Sequence, residues 1–229
     1  MDSRRMIYGC WVRCFAVISF PKHRNVLEPG CQRCPALVDS REQIVWGTGP
    51  TDARVMVIGE APGAGDPAAD RWKGGNWTGM AYTTRHSGRR IRQLLTDIGR
   101  LDECYFTNAV KCFPADGCGS NRPPAPDELN ACLTHLVTEL KTVRPDVILP
   151  TGKYATETVL THHGHAIDGF IEHVLTEFPF PDAGYTVVPL LHPSYETVWI
   201  ARLGYTQTEY VRAVGECVDN AIEVNRFKN

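Results

Sequence analysis

The sequence predicts an α/β protein: a three-layer sandwich with a central, mostly parallel four-stranded sheet and helices on both faces. Two observations carry this. Short apolar runs of strand length recur along the chain, and longer segments between them repeat their apolar residues at the helical period. A parallel pair needs a crossover long enough to hold a helix, so regular alternation of the two patterns favours parallel strands buried on both faces.

The strand runs are Arg54-Val55-Met56-Val57-Ile58-Gly59, Cys104-Tyr105-Phe106-Thr107-Asn108, Asp146-Val147-Ile148-Leu149-Pro150 and Thr186-Val187-Val188-Pro189-Leu190-Leu191. The first helix spans Ser87 to Gly99, with Ile91, Leu94, Leu95 and Ile98 on one face. A second runs from Ala125 to Val143 with Leu129, Cys132, Leu133, Leu136 and Leu140. A third covers Lys153 to Leu160, and a last runs from about Gln207 to Phe227.

At 229 residues and 43% apolar content the chain can bury one sizeable core. We expect an N-terminal extension over residues 1–30 and one domain over 31–229, acting as a monomer. The apolar stretch Met6 to Phe20 is interrupted by Arg13, is too short to span a membrane and is followed by no small-residue cleavage site. Nine cysteines, an odd number, point to a reducing, cytoplasmic setting. A net charge of only -2 means that any nucleic-acid surface must be a local patch.

Four thiols stand out. Cys31-x-x-Cys34 alone fits zinc, a redox disulfide or a cluster, but Cys112 closes the run Phe106-Thr107-Asn108-Ala109-Val110-Lys111-Cys112, and Cys132 lies in the helix after Asn121-Arg122-Pro123-Pro124. Together they would pin the beginning of the chain to its middle through a tetrahedral thiolate site for an iron–sulfur cluster or zinc. Cys10, Cys14, Cys104, Cys118 and Cys217 read as free or buried thiols, with Cys10 and Cys14 a weak metal alternative.

Ligands of parallel sheets bind at the carboxyl ends of the strands. There the sequence puts Gly59-Glu60-Ala61-Pro62-Gly63-Ala64-Gly65-Asp66, then Asn108 and Lys111, then His192-Pro193-Ser194. Glycines allow close backbone approach, two carboxylates and an imidazole supply acid–base groups, and an amide can read a base edge. Each element also has a plainer reading: a strand exit, a backbone-satisfying Asn, a Ser-capped helix start. The basic run Arg85-His86-Ser87-Gly88-Arg89-Arg90-Ile91-Arg92 is by default a solvated helix face.

Taken in order, these residues resemble the iron–sulfur uracil-DNA glycosylases of families 4 and 5, from about Cys31 to about Tyr210. Cys31-Gln32-Arg33-Cys34-Pro35-Ala36-Leu37, Gly59-Glu60-Ala61-Pro62-Gly63, Asn108-Ala109-Val110-Lys111-Cys112, Asn121-Arg122-Pro123-Pro124 and His192-Pro193-Ser194 are similar to the family 4 pattern. Gly74-Gly75-Asn76-Trp77-Thr78-Gly79, Ser87-Gly88 and the stretch up to Arg202-Leu203 are closer to family 5.

The resemblance implies that Cys31, Cys34, Cys112 and Cys132 hold a structural 4Fe-4S cluster, with zinc as the alternative, and that an inserted stretch, Ala115 to Ser120, brings a competing thiol, Cys118. It implies hydrolysis of the bond joining uracil to deoxyribose in DNA. Asp66 matches the family 4 acidic position, with Glu60 second and Asp70 in play, and His192 would support the departing uracil. Asn108 would read the base, Gly59 and Ala61 would shape the pocket, and Tyr82 would stack on the extruded base, with Trp77 as runner-up. Family 5 has an aspartate shortly after that aromatic; this chain has Arg85. DNA contact would combine Arg85, Arg89, Arg90, Lys111, Ser194 and Tyr195, the last either a wedge or a surface aromatic. A non-catalytic base-binding module on the same fold is the second reading; a dinucleotide-binding redox protein is disfavoured, because no Gly-x-Gly-x-x-Gly run follows the first strand.

Overall fold

The computed structural model describes Phe20 and residues 23–226. Most of the apolar stretch Met6 to Phe20, and both Cys10 and Cys14, lie outside the described residues. In chain order the elements are β1 (Arg24–Asn25), α1 (Pro35–Ser40), β2 (Gly47–Thr48), β3 (Val55–Gly59), α2 (Gly75–Thr78), α3 (Ser87–Asp97), β4 (Cys104–Asn108), α4 (Pro126–Val143), β5 (Val147–Pro150), α5 (Lys153–His162), β6 (Phe178–Phe180), β7 (Tyr185–Val187), α6 (Glu196–Arg202) and α7 (Gln207–Arg226).

The sheet order is β1-β2-β4-β3-β5-β7-β6, seven strands where the sequence predicted four. The four predicted strands form its parallel centre: β3 pairs with β4 from Val55↔Cys104 to Gly59↔Asn108, and β5 joins β3 and β7. The additions are antiparallel edges, β1–β2 against β4 and β6 against β7. Arg24–Asn25 therefore belongs to the sheet, although the sequence assigned it to an extension. Beyond β7 the ladder continues past Pro189, because Val188 N–H donates to Ile148 O at 2.9 Å and Leu190 N–H to Pro150 O at 2.8 Å. Pro189, which has no N–H, falls between these two donors.

Strand alternation explains the two cores. Val55, Val57, Phe106 and Leu149 face one way and pack with Ile91, Leu94 and Leu95 of α3, Ile200 of α6 and Val214 and Val218 of α7. Met56, Ile58, Tyr105 and Ile148 face the other way, onto Leu136 and Leu140 of α4 and Ala155 and Val159 of α5. This is the predicted three-layer sandwich. Among the described residues no helix is long and apolar enough to cross a membrane.

Candidate active site

The carboxyl ends of the four parallel strands open into a cleft of about 550 Å³, lined by Gly59 to Asp66, Tyr82, Asn108, Thr151 and His192 among others. Gly59 is required there by space. A Cβ on it would collide with Asn108 Oδ1 and approach the Tyr82 hydroxyl to 3.1 Å. The loops after β3 and β4 are joined by backbone bonds: Ala109 N–H donates to Gly59 O at 2.7 Å and Val110 N–H to Glu60 O at 2.9 Å. Asn108 is buried beside Gly59 at the cleft, and its main-chain carbonyl accepts from Lys111 Nζ at 2.7 Å.

Tyr82 is fixed at both ends. Its hydroxyl lies 2.6 Å from Thr151 Oγ1, and its carbonyl accepts from Arg92 Nε at 3.0 Å. The backbone at Tyr82 has φ 53°, a left-handed conformation that costs a bulky residue energy and is retained where surroundings enforce it. Arg92 is one of those surroundings: it is 1% exposed and its guanidinium lies 4.0 Å from the Phe106 ring centroid. Burial brings its pKa down to about 10, which leaves it cationic at neutral pH.

His192 Nδ1 accepts the Ser194 N–H at 3.2 Å, and burial lowers the imidazole pKa below its ordinary value. A neutral ring whose Nδ1 accepts must carry its proton on Nε2, which is then a donor. Glu60 lies in the same cleft, and burial alone pushes its carboxyl up to about 7. Asp66 is exposed at the cleft's edge, where its Oδ1 accepts the Ala68 N–H at 2.9 Å. Ala61 lines the cleft and also packs against the thiol cluster described below.

Two assignments made from sequence are corrected. Lys111 is not on a DNA-facing surface: it is 1% exposed and held by Glu139, Thr107 and Asn108. Trp77 is not a cleft wall; its indole N–H donates to Ala64 O at 2.8 Å and braces the loop after β3, while Trp72 lines the cleft. Arg85 and Ser194 line the cleft, and Arg85 and Arg89 are exposed. Arg90 donates to Pro193 O at 3.0 Å, Ser194 Oγ lies 3.1 Å from Ser87 Oγ, and Tyr195 is 62% exposed. Sequence reasoning missed Thr151, Arg92 and Asn121, whose Oδ1 accepts from Ala64 N–H at 3.0 Å. Only the Asn121 motif carried a signal, its place in Asn121-Arg122-Pro123-Pro124.

Cys31, Cys34, Cys112 and Cys132 lie together at the amino-terminal end of α1. Cys112 and Cys132 pack with Leu37 and Val110, with Cys34 and Leu129 against them. Burial first, then the negative neighbours Cys132, Glu128, Cys112 and Cys31, push the Cys34 thiol up to about 11. Arg41 donates to Cys112 Sγ at 3.3 Å and to Cys31 O at 2.7 Å. Four thiols from three segments, three of them buried and one, Cys112, accepting from the Arg41 guanidinium, are a donor set that fits a metal cluster. Glu28, Cys31 and His135 also offer ligand atoms within 4.8 Å of one another, and His135 Nε2 is buried without a hydrogen-bond partner among the described residues. Cys118 is exposed on the 115–121 turn, apart from this group.

Fold and cleft thus define an α/β protein with an open cleft at the ends of its parallel strands, beside a cluster of four cysteines compatible with a metal site. The chain belongs to the uracil DNA glycosylase superfamily, whose family profile matches residues 46–209. It is 31% identical over 202 residues to a type-5 uracil-DNA glycosylase of Pyrobaculum aerophilum, covering 76% of this chain and 82% of that protein. A type-4 uracil-DNA glycosylase of Thermotoga maritima is 29% identical over 174 residues, covering 72% and 77%. For the type-4 protein of Archaeoglobus fulgidus the figures are 32% over 130 residues, 56% and 58%, so the match spans little more than half of that relative.

Proposed function

We propose that this protein is a monofunctional DNA repair glycosylase that hydrolyses the N-glycosidic bond of uracil and leaves an abasic site. The observation that carries this reading is the convergence on one cleft, beside Gly59, of Asn108, Tyr82 and His192, whose Nδ1 accepts from Ser194 N–H. Asn108 accepts from uracil N3–H and donates to O4; cytosine presents the reverse pattern and would leave buried polar groups unpaired. Tyr82 stacks on the extruded base, and its fixed ring crowds the 5-methyl of thymine.

As the C1′–N1 bond breaks, its electron pair leaves with the uracil and positive charge develops on the sugar. His192 donates from Nε2 to the uracil oxygen that gains charge. Water forms the new bond to C1′ and its proton passes to a carboxylate. We assign that carboxylate to Asp66, with Glu60 as the second candidate and Asp70 the third. Arg85, Arg89 and Arg90 meet phosphates, Ser194 bonds one, and Tyr195 enters the gap left by the flipped base.

Cys31, Cys34, Cys112 and Cys132 would hold a 4Fe-4S cluster, or zinc in the alternative, and the group's contribution is structural, tying the start of residues 31–229 to α4. The substrate partner is intracellular DNA containing uracil, and the protein acts as a monomer. The test is incubation with a uracil-containing oligonucleotide followed by alkaline cleavage at abasic sites. Asp66→Asn should lower single-turnover excision about 100-fold or more while DNA affinity holds. Survival of Asp66→Asn together with loss in Glu60→Gln or Asp70→Asn would move the acid; binding without excision in the parent would favour the non-catalytic reading.

A further inference from the structure

A second cleft, of about 590 Å³, adjoins the first and shares Glu60, Asn121, His192 and Ser194 with it. Its character is different. The walls carry the aromatic rings of Tyr154, Phe170, Tyr195 and Trp199, with Pro123 on the opposite loop. Tyr195 is 62% exposed, so an aromatic face stands in water at the lip. Lys153, exposed at the start of α5 and only loosely paired with Glu157 at 3.7 Å, supplies a cation at the rim; Arg122 does not, being held by Glu128 at 2.6 Å.

We propose that this cleft is a stacking site for one unpaired base of the same DNA strand, the nucleotide immediately next to the uridine. The proposal rests on the glycosylase reading. Three lines of argument favour this occupant. The clefts share the His192 wall, so a strand whose uridine enters the first cleft passes directly over the second. The volumes are comparable, so each admits a group of base size. Aromatic walls with a cationic rim and few fixed polar groups suit sequence-tolerant stacking rather than base reading.

A neighbouring base held in this way has left its own stack. Single-stranded DNA offers such a base without the cost of unpairing, so the site favours single-stranded uracil substrates and is indifferent to the identity of the neighbour. Tyr154 is the residue to test, since it sits on the first turn of α5 and is not part of either hydrophobic core.

The experiment uses the full chain and single-stranded oligonucleotides with one uracil and 2-aminopurine on its 5′ side, on its 3′ side or several nucleotides away. Fluorescence on binding and excision of uracil are recorded separately. Stacking should quench the probe on one adjacent side only, and Tyr154→Ala should remove that quench and weaken affinity about 10-fold, the order contributed by one base–aromatic stack. Tyr154→Phe should retain both. Replacing the adjacent nucleotide by a tetrahydrofuran abasic analogue should cost the parent protein a similar factor and cost Tyr154→Ala nothing further. Normal excision with no quench at either neighbour overturns the stacking site and leaves the glycosylase reading intact. A quench lost in Tyr154→Ala, in a protein that excises nothing, supports the nucleotide site and fails the catalytic reading instead. If Tyr154→Phe behaves as Tyr154→Ala does, the effect is not stacking and the proposal fails.

Discussion

The ammonium of Lys111 lies 2.6 Å from Glu139 Oε2, and the two side chains are 1% and 0% exposed. Lys111 Nζ also donates to Thr107 Oγ1 and to Asn108 O, each at 2.7 Å, so its three hydrogens are all used. Glu139 in turn accepts from the Thr107 hydroxyl at 2.7 Å and Gly47 N–H at 3.0 Å. The pair thus ties α4 and β2 to the end of β4, which carries Asn108, the proposed base-reading amide.

Removing one partner of such a pair strands a charge in the interior. Glu139→Ala should therefore destabilise the fold by about 3–5 kcal/mol, read by chemical denaturation. The double variant Lys111→Met/Glu139→Leu should recover most of that loss, because no buried charge remains unpaired. Equal stability of the parent and Glu139→Ala would show the pair to be solvated.

A second prediction concerns the thiols. The purified protein should be brown, from thiolate-to-iron charge transfer, and Cys112→Ser or Cys132→Ser should lose iron and stability together, because metal-binding energy at a structural site is folding energy. Cys118→Ser should be neutral, since that thiol is exposed and apart from the others. A colourless protein with stoichiometric zinc would select the alternative metal.

The pH dependence separates Glu60 from His192. Burial raises Glu60 from its ordinary value of 4.5 to about 7, so the folded state keeps a proton that the unfolded state releases. Its contribution to stability is full below pH 4.5 and is lost as pH rises through about 7. Burial shifts His192 the opposite way, and the stability it contributes is present above 6.5 and lost as pH falls through its lower folded value. His192 therefore takes up its proton at a lower pH than Glu60 does. An inflection in the excision rate near pH 7 that disappears in Glu60→Gln would assign it to Glu60; one that persists would assign it elsewhere.

The parallel centre of the sheet was legible because each of its strands is a short, mainly apolar run buried on both faces. The edges were not: β1 and β2 are two residues each, and β6 is Phe178-Pro179-Phe180, too short for any period to register. The strand-end residues were legible as chemistry, since glycines, carboxylates, Asn108 and His192 follow the strands directly. Lys111 misled because a cation beside a nucleotide motif suggests phosphate, and its partner Glu139 comes from a helix whose packing the local sequence does not disclose. Arg92 and Thr151 were invisible for the same reason, their roles being defined by Tyr82 across the fold.

The basic run divides into two functions. Arg89 and Arg90 are both exposed, but Arg90 also bonds Pro193 O at 3.0 Å and Thr197 Oγ1 at 3.3 Å, on either side of Ser194 and Tyr195. Arg89→Ala should weaken uracil-containing and normal DNA equally and flatten the salt dependence by roughly one unit for one phosphate contact. Arg90→Ala should in addition slow excision, by loosening the segment that orients His192. Equal effects of the two substitutions on rate would show the Arg90 bonds to be incidental.

The last prediction follows from the two ends of Tyr82. Thr151→Val keeps the shape of the β5 terminus but removes the partner of the Tyr82 hydroxyl, which lies 2.6 Å away in the parent. A buried phenol without a partner costs about 1–3 kcal/mol, so the ring should turn toward water or toward the cleft. Either movement disturbs the cleft wall proposed to stack on the base and to exclude a 5-methyl group. Uracil excision should fall by about tenfold, and the ratio of uracil to thymine excision should fall with it. Tyr82→Phe needs no partner, so the double variant Tyr82→Phe/Thr151→Val should recover the stability that Thr151→Val loses, and much of the discrimination. If Thr151→Val instead destabilises the fold yet leaves the uracil-to-thymine ratio unchanged, Thr151 supports the sheet end and does not position the stacking ring.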